Sequence, residues 1–199
     1  MGSHNSATSH FPARDLTDLP ADIRTTILAV QEKAGFVPNV FLALAHRPAE
    51  FRAFFAYHDA LMLKDTGSLT KAEREMIVTA TSAKNHCLYC VVAHGALLRI
   101  YAKNPLVADQ VAVNHLKADI TPRQKAMLDF AIKVCLDSAS VTEDDYVQLR
   151  AHGFDDEDIW DIAGITAFFG LSNRMANVIG MRPNPEFFLM GRVEKPKSA

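Results

Sequence analysis

Two cysteines and a histidine in the run KNHCLYCVVAH, Cys87, Cys90 and His94, are the residues of this sequence best suited to redox chemistry, and Glu75 lies upstream with eleven residues between it and Cys87. On a helix, residues three and seven apart share a face, so the two thiols and the imidazole point the same way. Val91, Leu97, Leu98 and Tyr101 lie on or beside that face, which predicts burial of His94 and the inner thiol. A thiol is nucleophilic as its thiolate, and at an ordinary pKa of about 8.5 only ~3% is ionised at pH 7. Lowering that pKa to about 7 takes roughly 2 kcal/mol, whereas a helix N-terminus supplies ~0.3 to 1 kcal/mol. A proton acceptor is needed. His94, four residues beyond Cys90, is the candidate, with Glu75 orienting and charge-stabilising its ring.

The elements around this motif must bring Glu75 to His94. Thr70 and Glu73 form a T-x-x-E capping box that starts a helix at about residue 71. Leu69, Ala72, Met76, Ala80 and Ala83 give that helix an apolar stripe, and Glu75 sits at its edge. Thr79, Ser82 and His86 continue a polar line toward the cysteines. A short break at Asn85 and His86 lets the next helix fold back, which would set Glu75 against His94.

The rest of the chain reads as helical scaffold, and the expected fold class is all-α. Helices are predicted from Pro20 to Gly35, within Phe36 to Ala45, and from Pro48 with Phe51, Phe54, Phe55, His58, Leu61 and Met62 on one face. His58 on this apolar face either approaches the site or is a packed, hydrogen-bonded core histidine, the commoner case. The second site helix should end near Asn104 and Pro105, with a short helix and loop over 106–120. Further helices start at Thr121-Pro122, at Thr142 with Asp145, and at Asp155 with Asp158, the last running to about Val178. Cys135 reads as a small buried hydrophobe. Gly164, Ala167 and Gly170 permit close approach of another helix, within the chain or from another subunit. One domain is expected over residues 19–190, between flexible segments at 1–18 and 191–199.

At 199 residues, about half of them hydrophobic, the chain can bury a substantial core. A net charge of −2 with mixed signs leaves no basic stripe for nucleic acid or a membrane surface. No apolar run spans a bilayer and residues 1 to 12 lack a signal-peptide core, so a cytoplasmic location is expected. Three cysteines are too few for a disulfide scaffold, which favours a redox or metal-binding role for the CxxC pair.

The spacing Glu75, Cys87, Cys90, His94 resembles the signature of the AhpD-like alkylhydroperoxidases of the carboxymuconolactone decarboxylase superfamily. The longer run LTKAEREMIVTATSAKNHCLYCVVAHG, with GFVPNVFLALAHRP and FFGLSNRMANVIGMRPNPEF, is most similar to its peroxidase-related branch, and the likeness extends roughly from Leu19 to Phe188. The resemblance implies an AhpD-like helical fold, a homo-oligomer built from dimers or as a trimer of dimers, and thiol-dependent reduction of a hydroperoxide without cofactor or metal. It implies that Cys90 meets the peroxide and that Cys87 condenses with its sulfenic acid. An external dithiol of thioredoxin or lipoyl type then reduces the disulfide. Helix geometry alone instead makes Cys87 the more acidic and more exposed thiol. The sequence departs from the best-known AhpD pattern at Tyr89, where that pattern has a relay histidine. His86 either compensates or is a solvated turn residue. Three other readings remain open: the decarboxylase chemistry of the superfamily's other branch, a redox sensor, and a zinc site built from Cys87, Cys90, His94 and either Glu75 or His86.

Overall fold

The computed structural model describes residues 8–192, which form helices and turns with no strand among them. Ten α-helices follow in order: α1 Ala21–Ala34, α2 Asn39–Leu44, α3 Pro48–Met62, α4 Lys71–Lys84, α5 Leu88–Ala102, α6 Val107–Asn114, α7 Pro122–Asp137, α8 Glu143–Ala151, α9 Asp156–Val178 and α10 Pro185–Leu189.

The boundaries follow local chemistry. Capping boxes open α4 (Thr70 with Glu73), α7 (Thr121 with Gln124), α8 (Thr142 with Asp145) and α9 (Asp155 with Asp158), each satisfying amides that a helix start leaves unpaired. Helix α1 stops at Gly35, whose left-handed backbone (φ 82°) an L side chain would resist. Between α4 and α5 the chain turns at His86, a non-glycine residue held at φ 52°.

Helix α4 is the central element, packed against α5, α6, α7 and α9. The sequence predicts a one-sided apolar stripe for it. Instead every residue from Glu73 to Ser82 is buried, because neighbouring helices cover all sides. Its polar side chains find partners inside. Glu73 pairs with Arg123 at 2.6 Å, and Arg74 donates to the Lys64 and Thr66 carbonyls in the loop that follows α3. Thr81 donates to Ile77 O. Arg74 is thereby committed away from Glu75, which is left for His94.

One large hydrophobic cluster gathers α3, α4, α7 and α9 around Ile77, Leu98, Met127, Leu128, Ile162 and Phe169. A second, smaller one encloses the cysteines with Ala43, Ala176, Ile179, Met181 and Phe187. The face predicted for α3 is the face that turns inward. Of the small residues on α9, Gly164 permits close approach within the chain: a Cβ there would meet Leu61 of α3 at 3.2 Å. Ala167 is exposed. The short α10 escaped the sequence reading, since five residues opened by Asn184 and Pro185 carry too little periodicity to register. Of the proposed terminal segments, residues 1–7 and 193–199 lie outside the described residues. Residues 8–10 pair with the end of α9, through Thr8 O with Arg182 N and His10 N with Ile179 O.

Candidate active site

Helices α4 and α5 pack side by side, and this sets the acid against the imidazole. Nδ1–H of His94 donates to Oε2 of Glu75 at 2.7 Å. Both side chains are largely buried, and the bond fixes the tautomer that leaves Nε2 as the free ring nitrogen. Phe169 of α9 stands edge-on to the His94 ring at 4.7 Å between centroids and holds its plane.

Cys87 is the N-cap of α5 and Cys90 lies in its first turn. Both are reduced and both are buried. The expectation of a more exposed Cys87 is therefore corrected: its exposure is 0%, against 2% for Cys90. The hydrophobic cluster closes over the N-cap, a tertiary contact that helix geometry does not contain. The expected order of acidity does hold. The neighbouring Cys90 thiol lowers the Cys87 pKa to about 7 against the effect of burial, helped by the Cys90 backbone amide, the Asn173 side chain and the His94 charge. Cys90 is pushed up, by the hydrogen bond it shares with Cys87 and by burial.

Helix α9 contributes two residues that the sequence reading did not single out. Ser172 Oγ lies 3.9 Å from Cys90 Sγ. Asn173, with no exposed surface, favours the thiolate form of both cysteines. Its amide donates to Ser82 Oγ and its carbonyl accepts from Asn85, both at 2.9 Å, so it ties α9 to the end of α4. The signal was present in the run LSNRMAN, but the distance in sequence from the cysteines concealed it. Thr79, on the polar line of α4, is fully buried and its hydroxyl has no partner among the described residues.

Tyr89, at the position of departure from the AhpD pattern, is buried, and its hydroxyl accepts from the Val40 backbone N–H at 3.2 Å. Burial pushes its pKa up, so it is no base near neutrality and serves to tie α2 to α5. His86 is exposed at its turn. Cys135 is half-buried with Sγ 3.7 Å from Thr81 O, and burial raises its pKa, as befits an inert thiol. Among the described residues no group of three or more His, Cys, Asp or Glu is arranged to hold a metal ion. No described helix is long and apolar enough to cross a membrane.

A cavity of about 240 Å³ opens beside the dithiol. Cys90, His94 and Ser172 form its reactive wall, and the other walls are mainly apolar, including Phe36, Phe41, Phe54, Phe55, Phe169 and Phe187. Cys87 is not part of the lining. His58 is, which decides between the two readings the sequence left open for it, approach to the site or a packed core role, in favour of the first.

An all-α bundle with an acid, a CxxC pair and a histidine in this geometry defines a class, and comparison with known proteins gives its name. Residues 48–105 match the carboxymuconolactone decarboxylase family. The chain is 76% identical to a peroxidase-related protein from Ralstonia eutropha JMP134, described as an alkylhydroperoxidase AhpD core, covering 94% of this chain and 98% of that one with a TM-score of 0.93. A peroxidase-related protein from Silicibacter sp. TM1040 is 40% identical over 96% of this chain and all of its own, with a TM-score of 0.89. The debrominase Bmp8, solved with 2,3,4-tribromopyrrole, shares the fold at 17% identity, covering 94% of this chain and 96% of its own, with a TM-score of 0.73. No curated protein matches. The chain belongs to the AhpD-like members of the carboxymuconolactone decarboxylase superfamily.

Proposed function

We propose that this protein is a dithiol peroxidase that reduces organic hydroperoxides. The observation that carries the reading is that Cys90 and the Glu75-held His94 line the same mainly apolar, aromatic-rich cavity. Cys90 is the nucleophile. The resting negative charge lies on Cys87, and Cys90 gives up its proton to that thiolate or to Nε2 of His94. The Cys90 thiolate attacks the outer oxygen of R–O–O–H, so that an S–O bond forms, the O–O bond breaks, and sulfur is oxidised as the peroxide is reduced. The departing alkoxide takes the proton that Cys90 released and leaves as an alcohol. The Cys87 thiolate then attacks the sulfur of the Cys90 sulfenic acid, so that an S–S bond forms, the S–O bond breaks, and the departing hydroxide takes a proton from solvent and leaves as water. An external dithiol of thioredoxin or lipoyl type returns both cysteines to thiols.

Homo-oligomer formation belongs to the same proposal. It is supported by an apolar strip on the outer face of α9, where Trp160, Leu171 and Val178 are 75%, 55% and 78% exposed.

The test is thiol titration with peptide mass spectrometry before and after one equivalent of cumene hydroperoxide, on wild type and Cys90→Ser. A Cys87–Cys90 disulfide in the wild type, with no trapped sulfenic acid in the variant, is the expected result. Two thiols that stay reduced in the wild type would end the peroxidase reading.

A further inference from the structure

The cavity beside Cys90 carries a second acid–imidazole pair that the steps above leave unused. His58 of α3 lines the cavity, and its Nδ1–H donates to Oδ1 of Asp59 at 2.9 Å, as Nδ1–H of His94 donates to Glu75 at 2.7 Å. Both imidazoles stand edge-on to the same Phe169 ring, at 4.7 Å for His94 and 6.5 Å for His58. Phe55 and Phe168, each 6.2 Å from His58, fix its ring from other sides. With Nδ1 engaged, Nε2 is the free nitrogen of each ring, and among the described residues neither Nε2 makes a hydrogen bond.

His58 differs from His94 in where its acid partner sits. Asp59 is exposed and Glu75 is buried. Burial lowers the basicity of His58, and this outweighs the Asp59 hydrogen bond. A proton gained by His94 would lower it further while Glu75 opposes, and the other rings packed on it, Phe55, Phe168 and Phe169, do not titrate. His58 is therefore a neutral ring with a lone pair on Nε2, an acceptor in a mainly apolar chamber. A hydroperoxide entering that chamber brings a single hydrogen-bond donor, its terminal O–H, and burying a donor unpaired is costly.

We propose that His58 is a positioning residue whose Nε2 accepts the terminal O–H of the hydroperoxide and holds the outer oxygen toward Cys90. This inference rests on the peroxidase reading. The accepted hydrogen is not transferred: it stays on the outer oxygen through the attack and ends in the Cys90 sulfenic acid. The proton for the alkoxide still comes from the Cys90 thiol. His58 thus orients the substrate without entering the proton balance.

The experiment is a single-turnover comparison of wild type, His58→Phe, His58→Gln and Asp59→Ala, each reduced and mixed with cumene hydroperoxide. Disulfide formation is followed by peptide mass spectrometry. In parallel, iodoacetamide labelling of Cys90 reports thiol reactivity with no O–H to orient. His58→Phe keeps an aromatic ring and removes the acceptor. It should slow oxidation about 10- to 100-fold while labelling stays within about twofold. His58→Gln, whose amide oxygen accepts, should recover most of the rate. Asp59→Ala, a surface change that keeps the imidazole, should slow oxidation severalfold and leave labelling intact, and it serves if His58→Phe does not fold. Wild-type oxidation rates in His58→Phe, or equal slowing of oxidation and labelling in the Phe and Gln variants alike, would overturn the role of His58. A wild type that is labelled but never oxidised would instead sink the peroxidase reading itself.

Discussion

Cys87 and Cys90 lie within one turn of helix yet are shifted in opposite directions, Cys87 down and Cys90 up, and the difference has local causes. The Cys87 sulfur receives the Cys90 thiol, the Cys90 amide and the Asn173 side chain, which bring its pKa to about 7, while Cys90 is raised by the same sharing and by burial. A thiol pKa lowered in this way means a thiolate that is absent well below pH 7, half-formed near 7 and complete above 8. Ultraviolet thiolate absorbance should therefore show one transition near pH 7, from Cys87, with Cys90 and Cys135 ionising only above 9. Cys90→Ser should move the first upward, because a serine hydroxyl is a weaker partner for the thiolate. Two overlapping transitions near the ordinary value would refute the asymmetry. The acid, the two thiols and the histidine were legible at this scale because they fall within one helical hairpin. Ser172 and Asn173 were not, because both reach the site through packing of α9 rather than through spacing along the chain, and His58 was legible only as one of two alternatives until α3 packed beside the cavity.

At the scale of elements, helix starts were the readable part of the sequence. Thr70, Thr121, Thr142 and Asp155 each announce a helix because a side-chain oxygen three residues before a complementary acid or amide satisfies orphan amides locally. What α4 would bury was not readable. Its polar residues look solvent-facing until α5, α7 and α9 supply their partners. Helix α9 presents the opposite case, with apolar side chains left outside. Trp160, Leu171 and Val178 recur at spacings that place them on one outer face, the face on which the proposed oligomer would form. Light scattering after size exclusion should give a mass at least twice the 22.0 kDa of the chain. Trp160→Glu combined with Val178→Glu should reduce it to that of one chain, with far-ultraviolet circular dichroism unchanged. A monomeric wild type would remove the oligomer from the proposal.

In the molecule as a whole, the site is assembled from segments far apart in sequence and closed by a latch. Asn184 accepts from the Asn39 amide at 2.7 Å and donates to Val37 O at 2.9 Å, while Asn39 donates to Arg182 O at 2.8 Å, so α2 and α10 are tied together. Arg99 of α5 donates to Phe187 O and Met190 O, holding α10 down. The chain passes so close here that a Cβ on Gly191, itself at φ 72°, would meet Arg99 at 2.8 Å. The cluster that includes Ala43, Ile179, Met181 and Phe187 then covers Cys87 completely.

In the proposed cycle that seal would set two separate rates: a small hydroperoxide would enter by the cavity that Cys90 lines, while a protein reductant would have to wait for α2 and α10 to breathe open before touching the buried Cys87. If the breathing opens about 1% of molecules at a time, recovery runs some hundredfold below that of a bare disulfide, and oxidised protein accumulates under a burst of peroxide. Asn39→Ala loosens the latch away from the thiols. It should hasten reduction by thioredoxin severalfold while the oxidation rate stays put, and an unchanged reduction rate would mean that the seal does not set it.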